Sequence, residues 1–133
     1  MEKVIIQSDK GFCLTFHSKD HDECGLLERY CVTLNSPNLN ATIQIEDCQY
    51  QEVPTKFFNS ISKKWMGWKG AIEFNDFVSL SLSATSDSTG HIELSVTMRS
   101  DEYVPNWEAK TVLIIEAGQL DGISRSVSAF FKT

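Results

Sequence analysis

Between residues 57 and 74 the chain reads F-F-N-S-I-S-K-K-W-M-G-W-K-G-A-I-E-F, and its apolar positions change period there. Phe57, Phe58, Ile61 and Trp65 fall on one side of a 3.6-residue helix, whereas the segments on both sides alternate in and out as strands do. Before this joint, Val4 to Ile6 predicts a first strand, and Phe12, Leu14 and Phe16 alternate with Cys13, Thr15 and His17 as a half-buried second one. Ser18 to Gly25, S-K-D-H-D-E-C-G, reads as a charged loop. Tyr30, Val32 and Leu34 resume the alternation, Asn35 to Asn38 form a turn, and Ala41, Ile43 and Ile45 give a fourth strand. The first fifty residues are therefore expected to be a meander of antiparallel strands.

At the joint, Pro54 suits the first turn of a helix because its missing N–H has no partner there in any case, and the helix is expected to run to about Trp65 or Met66. Gly67 can take the left-handed conformation that ends it, with Trp68 folding back on the last turn. A strand from Ala71 to Phe74 follows. Val78, Leu80, Leu82 and Ala84 then alternate with serines, and Ile92, Leu94, Val96 and Met98 alternate with Glu93, Ser95, Thr97 and Arg99. Between them S-D-S-T-G, ending in Gly90, predicts an antiparallel hairpin. Pro105 and Asn106 interrupt before Trp107, after which Trp107, Ala109, Thr111, Leu113 and Ile115 form one face of a last strand. Val112 and Ile114 add apolar groups to its other face, which suggests local cover on both sides. From about residue 119 to 131, Leu120, Ile123, Val127 and Phe130 or Phe131 recur at helical steps.

These elements predict a single α+β domain over residues 1–133: an antiparallel sheet of about six to eight strands, with two helices packed on one face. Its Ser/Thr-rich face would be left to solvent or to a partner. No internal repeat is visible in the sequence. With 133 residues the chain can bury a core without staples. Residues 1–10 hold no apolar run long enough for a signal peptide, and no segment approaches the ~20 apolar residues of a membrane span. The expectation is a cytoplasmic protein, whose cysteines Cys13, Cys24, Cys31 and Cys48 stay as thiols. A net charge of −6 opposes a nucleic-acid backbone as partner and fits a basic protein partner or solubility alone equally well.

Chemistry is sparse. Cys13, His17, His21, Cys24 and Cys31 form the strongest candidate ligand cluster, but the C-x3-H-x3-H-x2-C spacing lacks the paired C-x2-C knuckle of a structural zinc site, so free thiols beside a surface loop are favoured and no metal or cofactor is expected. Cys31 or Cys24 could pair with His21 as a nucleophile, although nothing local marks an activated thiol. His91 reads as a turn residue rather than a titrating contact group. Trp65, Trp68 and Trp107 are expected to fill the core rather than to line an aromatic pocket. The carboxylates Asp20, Asp22, Glu23, Glu46, Asp47, Glu52, Asp101 and Glu102 gather in loops, either as a solvated edge or as a charged footprint for a partner.

The ordered series Phe57–Phe58, W-x-G-W-x-G (Trp65, Gly67, Trp68, Gly70), G-H-I-E-L-S-V-x-M-R (Gly90, His91, Arg99), Trp107 and E-A-G-Q-L (Glu116, Ala117, Gly118, Leu120), ending in Phe130–Phe131, resembles a bacterial family of unknown function over roughly the last 75 residues. The first fifty residues carry no such mark. More loosely, the order of strands, helix, hairpin, strand and terminal helix is similar to the WapI-type immunity proteins of polymorphic and contact-dependent inhibition toxins. That resemblance implies a non-enzymatic protein that binds a toxin domain, expected to be basic, with no catalytic residue, no nucleic acid and no membrane. A small-molecule or regulatory module using the tryptophans is the alternative.

Overall fold

The computed structural model describes residues 2–8, 11–48, 51–75, 79–87, 89–100 and 107–132. Val78, Ser88, Pro105 and Asn106, invoked above, lie outside them. Among the described residues there are eight strands and two helices, so the fold is α+β. The strands are β1 (Lys3–Gln7), β2 (Cys13–His21), β3 (Leu27–Ser36), β4 (Leu39–Ile45), β5 (Ile72–Asn75), β6 (Leu80–Ser86), β7 (His91–Arg99) and β8 (Glu108–Glu116). The helices are α1 (Thr55–Lys63), between β4 and β5, and α2 (Leu120–Phe131), entered through a 3-10 turn at Ala117–Gln119.

The strands form two antiparallel sheets, β1-β2-β3-β4 and β5-β6-β7-β8, rather than the single sheet that alternation alone suggested. A four-stranded meander followed by a helix thus occurs twice. The repeat escapes a sequence comparison because it requires the same periods of apolar positions, not the same residues. The halves interlock: α1 and α2 pack together, α1 touches β5 and α2 touches β1.

Register explains the core. Val4, Phe16, Val32 and Ile43 face one another across sheet 1, as do Ile6, Leu14, Leu34 and Ala41 in the next row. In sheet 2, Phe74, Leu82, Val96 and Thr111 form one such row, and Ile72, Ala84, Leu94 and Leu113 another. These inward rows are almost entirely apolar because pairing partners share a face of the pleat. Phe58 of α1 and Phe131 of α2 both meet Phe16 edge-on, at 6.2 and 5.7 Å between ring centres, and Phe131 also meets Tyr30 at 4.9 Å. Buried residues of both sheets and both helices form one continuous cluster. Asn59 of α1 accepts hydrogen bonds from the Ser124 and Ser128 hydroxyls of α2, which fixes the register between the helices.

Three elements differ from expectation. Strand β2 continues through the charged stretch to His21, because a bulge with Ser18 at φ 56° restores pairing through Asp20 with Arg29 and His21 with Leu27. Helix α1 stops at Lys63, short of Trp65: Lys64 N–H bonds to the Ile61 carbonyl and Gly67 N–H to the Lys64 carbonyl, which turns the chain out of the helix. On β8, Val112 is exposed, so the outer face is uncovered there, while Ile114 is half-buried with its N–H donated to Ser8 Oγ at 3.2 Å.

Candidate functional site

Two surfaces compete for the role of contact site. The first is the acidic end of sheet 1. The turn between β2 and β3 and the end of β4 lie at the same end of the sheet, since Asp20 pairs with Arg29 and Tyr30 with Ile45. Register therefore brings Asp20, Asp22, Glu23, Glu46 and Asp47 together, as a partner footprint would require. Most of these carboxylates have a local role. Asp20 forms an ion pair with Arg29 at 2.5 Å. Asp22 Oδ1 accepts from the N–H groups of Cys24 (2.8 Å) and Leu26 (3.0 Å), closing the turn. Glu46 accepts from Gln44 Nε2 at 2.9 Å, and Glu52 pairs loosely with Lys56 one helical turn on, at 3.9 Å. Glu23 and Asp47 are exposed. Asp101 and Glu102 lie outside the described residues. Beneath this end, Lys19 Nζ donates to the Phe130 carbonyl and covers the Phe130 ring at 4.7 Å, tying β2 to the end of α2.

The second surface is the corner between α1 and β5. Trp65 is 59% and Met66 85% exposed, so Trp65 does not fill the core as expected, whereas Trp68 is half-buried against it. The cause is the early end of α1: once the helix stops at Lys63, Trp65 leaves the stripe that buries Phe57, Phe58 and Ile61. Lys63, Lys64 and Lys69, all exposed, surround the two side chains in sequence. The corner is held on β6. The Trp68 indole N–H donates to the Ala84 carbonyl at 3.2 Å. Gly67, at φ +112°, passes so close to Ser86 that an added Cβ would lie 3.3 Å from Ser86 Oγ. The sequence signal for this corner was the Lys63–Lys64 pair before Trp65 with Gly67 two positions after it, a helix stop placed too early for Trp65 to stay inside.

The motifs G-H-I-E and E-A-G-Q-L meet next to it. Asp87 Oδ1 accepts from the N–H groups of Thr89 (2.7 Å) and His91 (3.0 Å) and from Thr89 Oγ1 (2.8 Å). These bonds, His91 first, hold the Asp87 carboxyl below the usual carboxylate range. His91 Nε2 lies 3.1 Å from Glu116 Oε1, and Ala117 N–H donates to the Gly90 carbonyl at 2.9 Å. Glu116 and Gln119 then cap each other's backbone N–H groups before α2. His91 is therefore a turn residue tied into a structural joint. Farther along the same strand pair, Arg99 and Lys110 hold the Glu108 carboxyl below its ordinary range.

The cysteine and histidine cluster is dispersed. His17 lies opposite Cys31 on the open face of sheet 1, whereas His21 lies opposite Leu27 and Cys24 is exposed in the turn. None of the four cysteines forms a disulfide, and the Cys48 thiol donates to the Ile45 carbonyl at 3.5 Å. Burial pushes the Cys31 thiol up, the opposite of what an activated thiolate needs. His17 instead takes part in a hydrogen-bonded row with Ser18 (2.8 Å) and Thr33 (2.7 Å), which continues from Thr33 to Thr42 (2.8 Å). The tryptophans also separate. Trp68 sits by Ala84, opposite Leu94, whereas Trp107 pairs with Ser100 beyond the far end of β7, six residues and about 20 Å along the strand.

No helix among the described residues is long and apolar enough to cross a membrane. No curated protein and no solved structure matches the chain. Residues 5–133, which take in all but the first four of the first fifty, match DUF6228, a family of unknown function, and the chain belongs to that family.

Proposed function

We propose that this chain is an immunity protein: in the cytoplasm it binds a cognate bacterial toxin domain and blocks it by contact, performing no reaction of its own. The observation that carries this reading is the exposed Trp65–Met66 pair on a fixed mount. Tryptophan concentrates binding energy in protein interfaces, and methionine adapts to an irregular partner surface. A monomeric surface has little reason to hold such groups in water.

The two charged regions fit one kind of partner. The acidic end and a net charge of −6 attract a basic protein over long range. Lys63, Lys64 and Lys69 beside Trp65 suit an apolar pocket rimmed by carboxylates. A metal-dependent nuclease combines both features, a basic substrate surface around an acidic metal site. The test is co-expression with the toxin encoded beside it: growth is rescued and a stable complex co-purifies, and Trp65→Ala with Met66→Ala loses both while still folding. Absence of complex and of rescue with the wild-type chain would sink the proposal.

A further inference from the structure

We propose that β4 is a self-pairing edge, through which two copies of this chain join antiparallel about a two-fold axis at Thr42. β4 is the outer strand of sheet 1, bonded to β3 on one side, and among the described residues no strand pairs with its other side. Such an edge is a template for another strand unless charge, proline or cover blunts it. The other outer strands carry charge: Lys3 on β1, Glu73 on β5, and Glu108, Lys110 and Glu116 on β8. β4 reads L-N-A-T-I-Q-I, with neither a charge nor a proline.

The occupant follows from the order of chemistry along the strand. L-N-A-T-I-Q-I is symmetric about Thr42: aliphatic, amide, aliphatic, hydroxyl, aliphatic, amide, aliphatic. Antiparallel pairing of two copies at Thr42 sets Leu39 against Ile45, Asn40 against Gln44 and Ala41 against Ile43. Apolar thus meets apolar on the inner face, and amide meets amide on the outer. The inner face has a use for this cover. Ile43 and Ile45 are buried, but Leu39 and Ala41 are only half-buried against the core, and the partner's isoleucines would lie beside them. On the outer face, the hydrogen-bonded row from His17 through Thr33 ends at Thr42 and would meet its own image across the axis. Glu46 and Asp47 would fall opposite Asn38 and Pro37, so no like charges are opposed. A foreign strand gains nothing from this symmetry; a second copy gains from every pair.

Sedimentation equilibrium of the full chain at high micromolar concentration tests the proposal. The wild type is expected at the mass of two chains. Thr42→Lys, which sets two ammonium groups across the axis at an exposed position, is expected at the mass of one chain with an unchanged circular dichroism spectrum. Mixing it with Thr42→Glu restores the two-chain mass. A second set fixes the register independently of Thr42: Asn40→Glu with Gln44→Glu in one chain gives the single-chain mass, whereas Asn40→Lys with Gln44→Glu keeps two. A wild type at single-chain mass at all concentrations, or a two-chain mass that survives both disruptive variants, overturns the proposal.

Discussion

The acidic end of sheet 1 and the tryptophan corner after α1 lie on opposite sides of a nine-residue helix, about 13 Å long at 1.5 Å per residue. They are built on opposite terms. At the acidic end the polar groups are largely committed to the fold: Asp22 closes its turn, Asp20 pairs with Arg29, and Lys19 binds the end of α2 over an aromatic cluster of Phe16, Tyr30 and Phe131. At the tryptophan corner the polar and backbone groups fix the frame, through Trp68 and Gly67 on β6, while the large apolar side chains Trp65 and Met66 are left in water. A run of charge in a sequence thus marks turns and edges as readily as contact sites. An exposed aromatic on a braced corner is the stronger indication of binding, because burying it in a partner gains what exposure forgoes.

The contrast can be broken most sharply by truncation. Phe131→Ala under the acidic end is expected to cost about 3–5 kcal/mol of stability, by the lost transfer energy and the cavity left among Phe16, Tyr30 and Phe130. In the same denaturant titration Trp65→Ala stays within about 0.5 kcal/mol of wild type, as a surface change does. The order reverses in binding. Trp65→Ala with Met66→Ala is expected to weaken the proposed toxin complex by about 2 kcal/mol or more, roughly 30-fold in Kd, mainly as faster dissociation in a surface-resonance measurement. Neutralising the exposed carboxylates with Glu23→Gln and Asp47→Asn is expected to slow association about two- to five-fold at low salt, with dissociation unchanged and the effect erased at high salt.

The smallest effect concerns pH. The Asp87 carboxyl, which supports the turn beside the tryptophan corner, titrates below its ordinary value in the folded chain, so its contribution to stability is fully present above the ordinary carboxylate range and is lost as pH falls through the lowered value. Asp87→Asn is therefore expected to melt lower than wild type near neutrality, and the gap should close on acidification. Thermal unfolding of both proteins across pH 7 to 2 measures it, and a gap that stays constant would assign the loss to the turn geometry alone.

Much of this was legible beforehand. The period-2 alternation located the strands, and the Asn35–Asn38 and S-D-S-T-G turns separated them, because side-chain alternation and turn chemistry are local properties of the chain. The helix stripes of Phe57, Phe58 and Ile61, and of Leu120, Val127 and Phe130, are buried as their spacing predicted. The extension of β2 through Ser18 and Lys19 was not legible, since it depends on a bulge at Ser18 that lets Asp20 pair with Arg29 and His21 with Leu27 on β3. Nor was the fate of Trp65 and Trp68. A glycine three residues past a lysine pair announces a helix stop, but whether the neighbouring indoles turn inward depends on what lies across from them, here the carbonyl of Ala84.

Sequence by itself determined the α+β class, the order of strands and helices and the apolar face of each strand, all consequences of periodicity and composition. Only the tertiary structure decided that the strands divide into two interlocked halves, that G-H-I-E and E-A-G-Q-L meet at one joint, and that Trp65 and Met66 face water. These outcomes depend on hydrogen bonds and packing between residues far apart in the chain, whose geometry no local pattern contains.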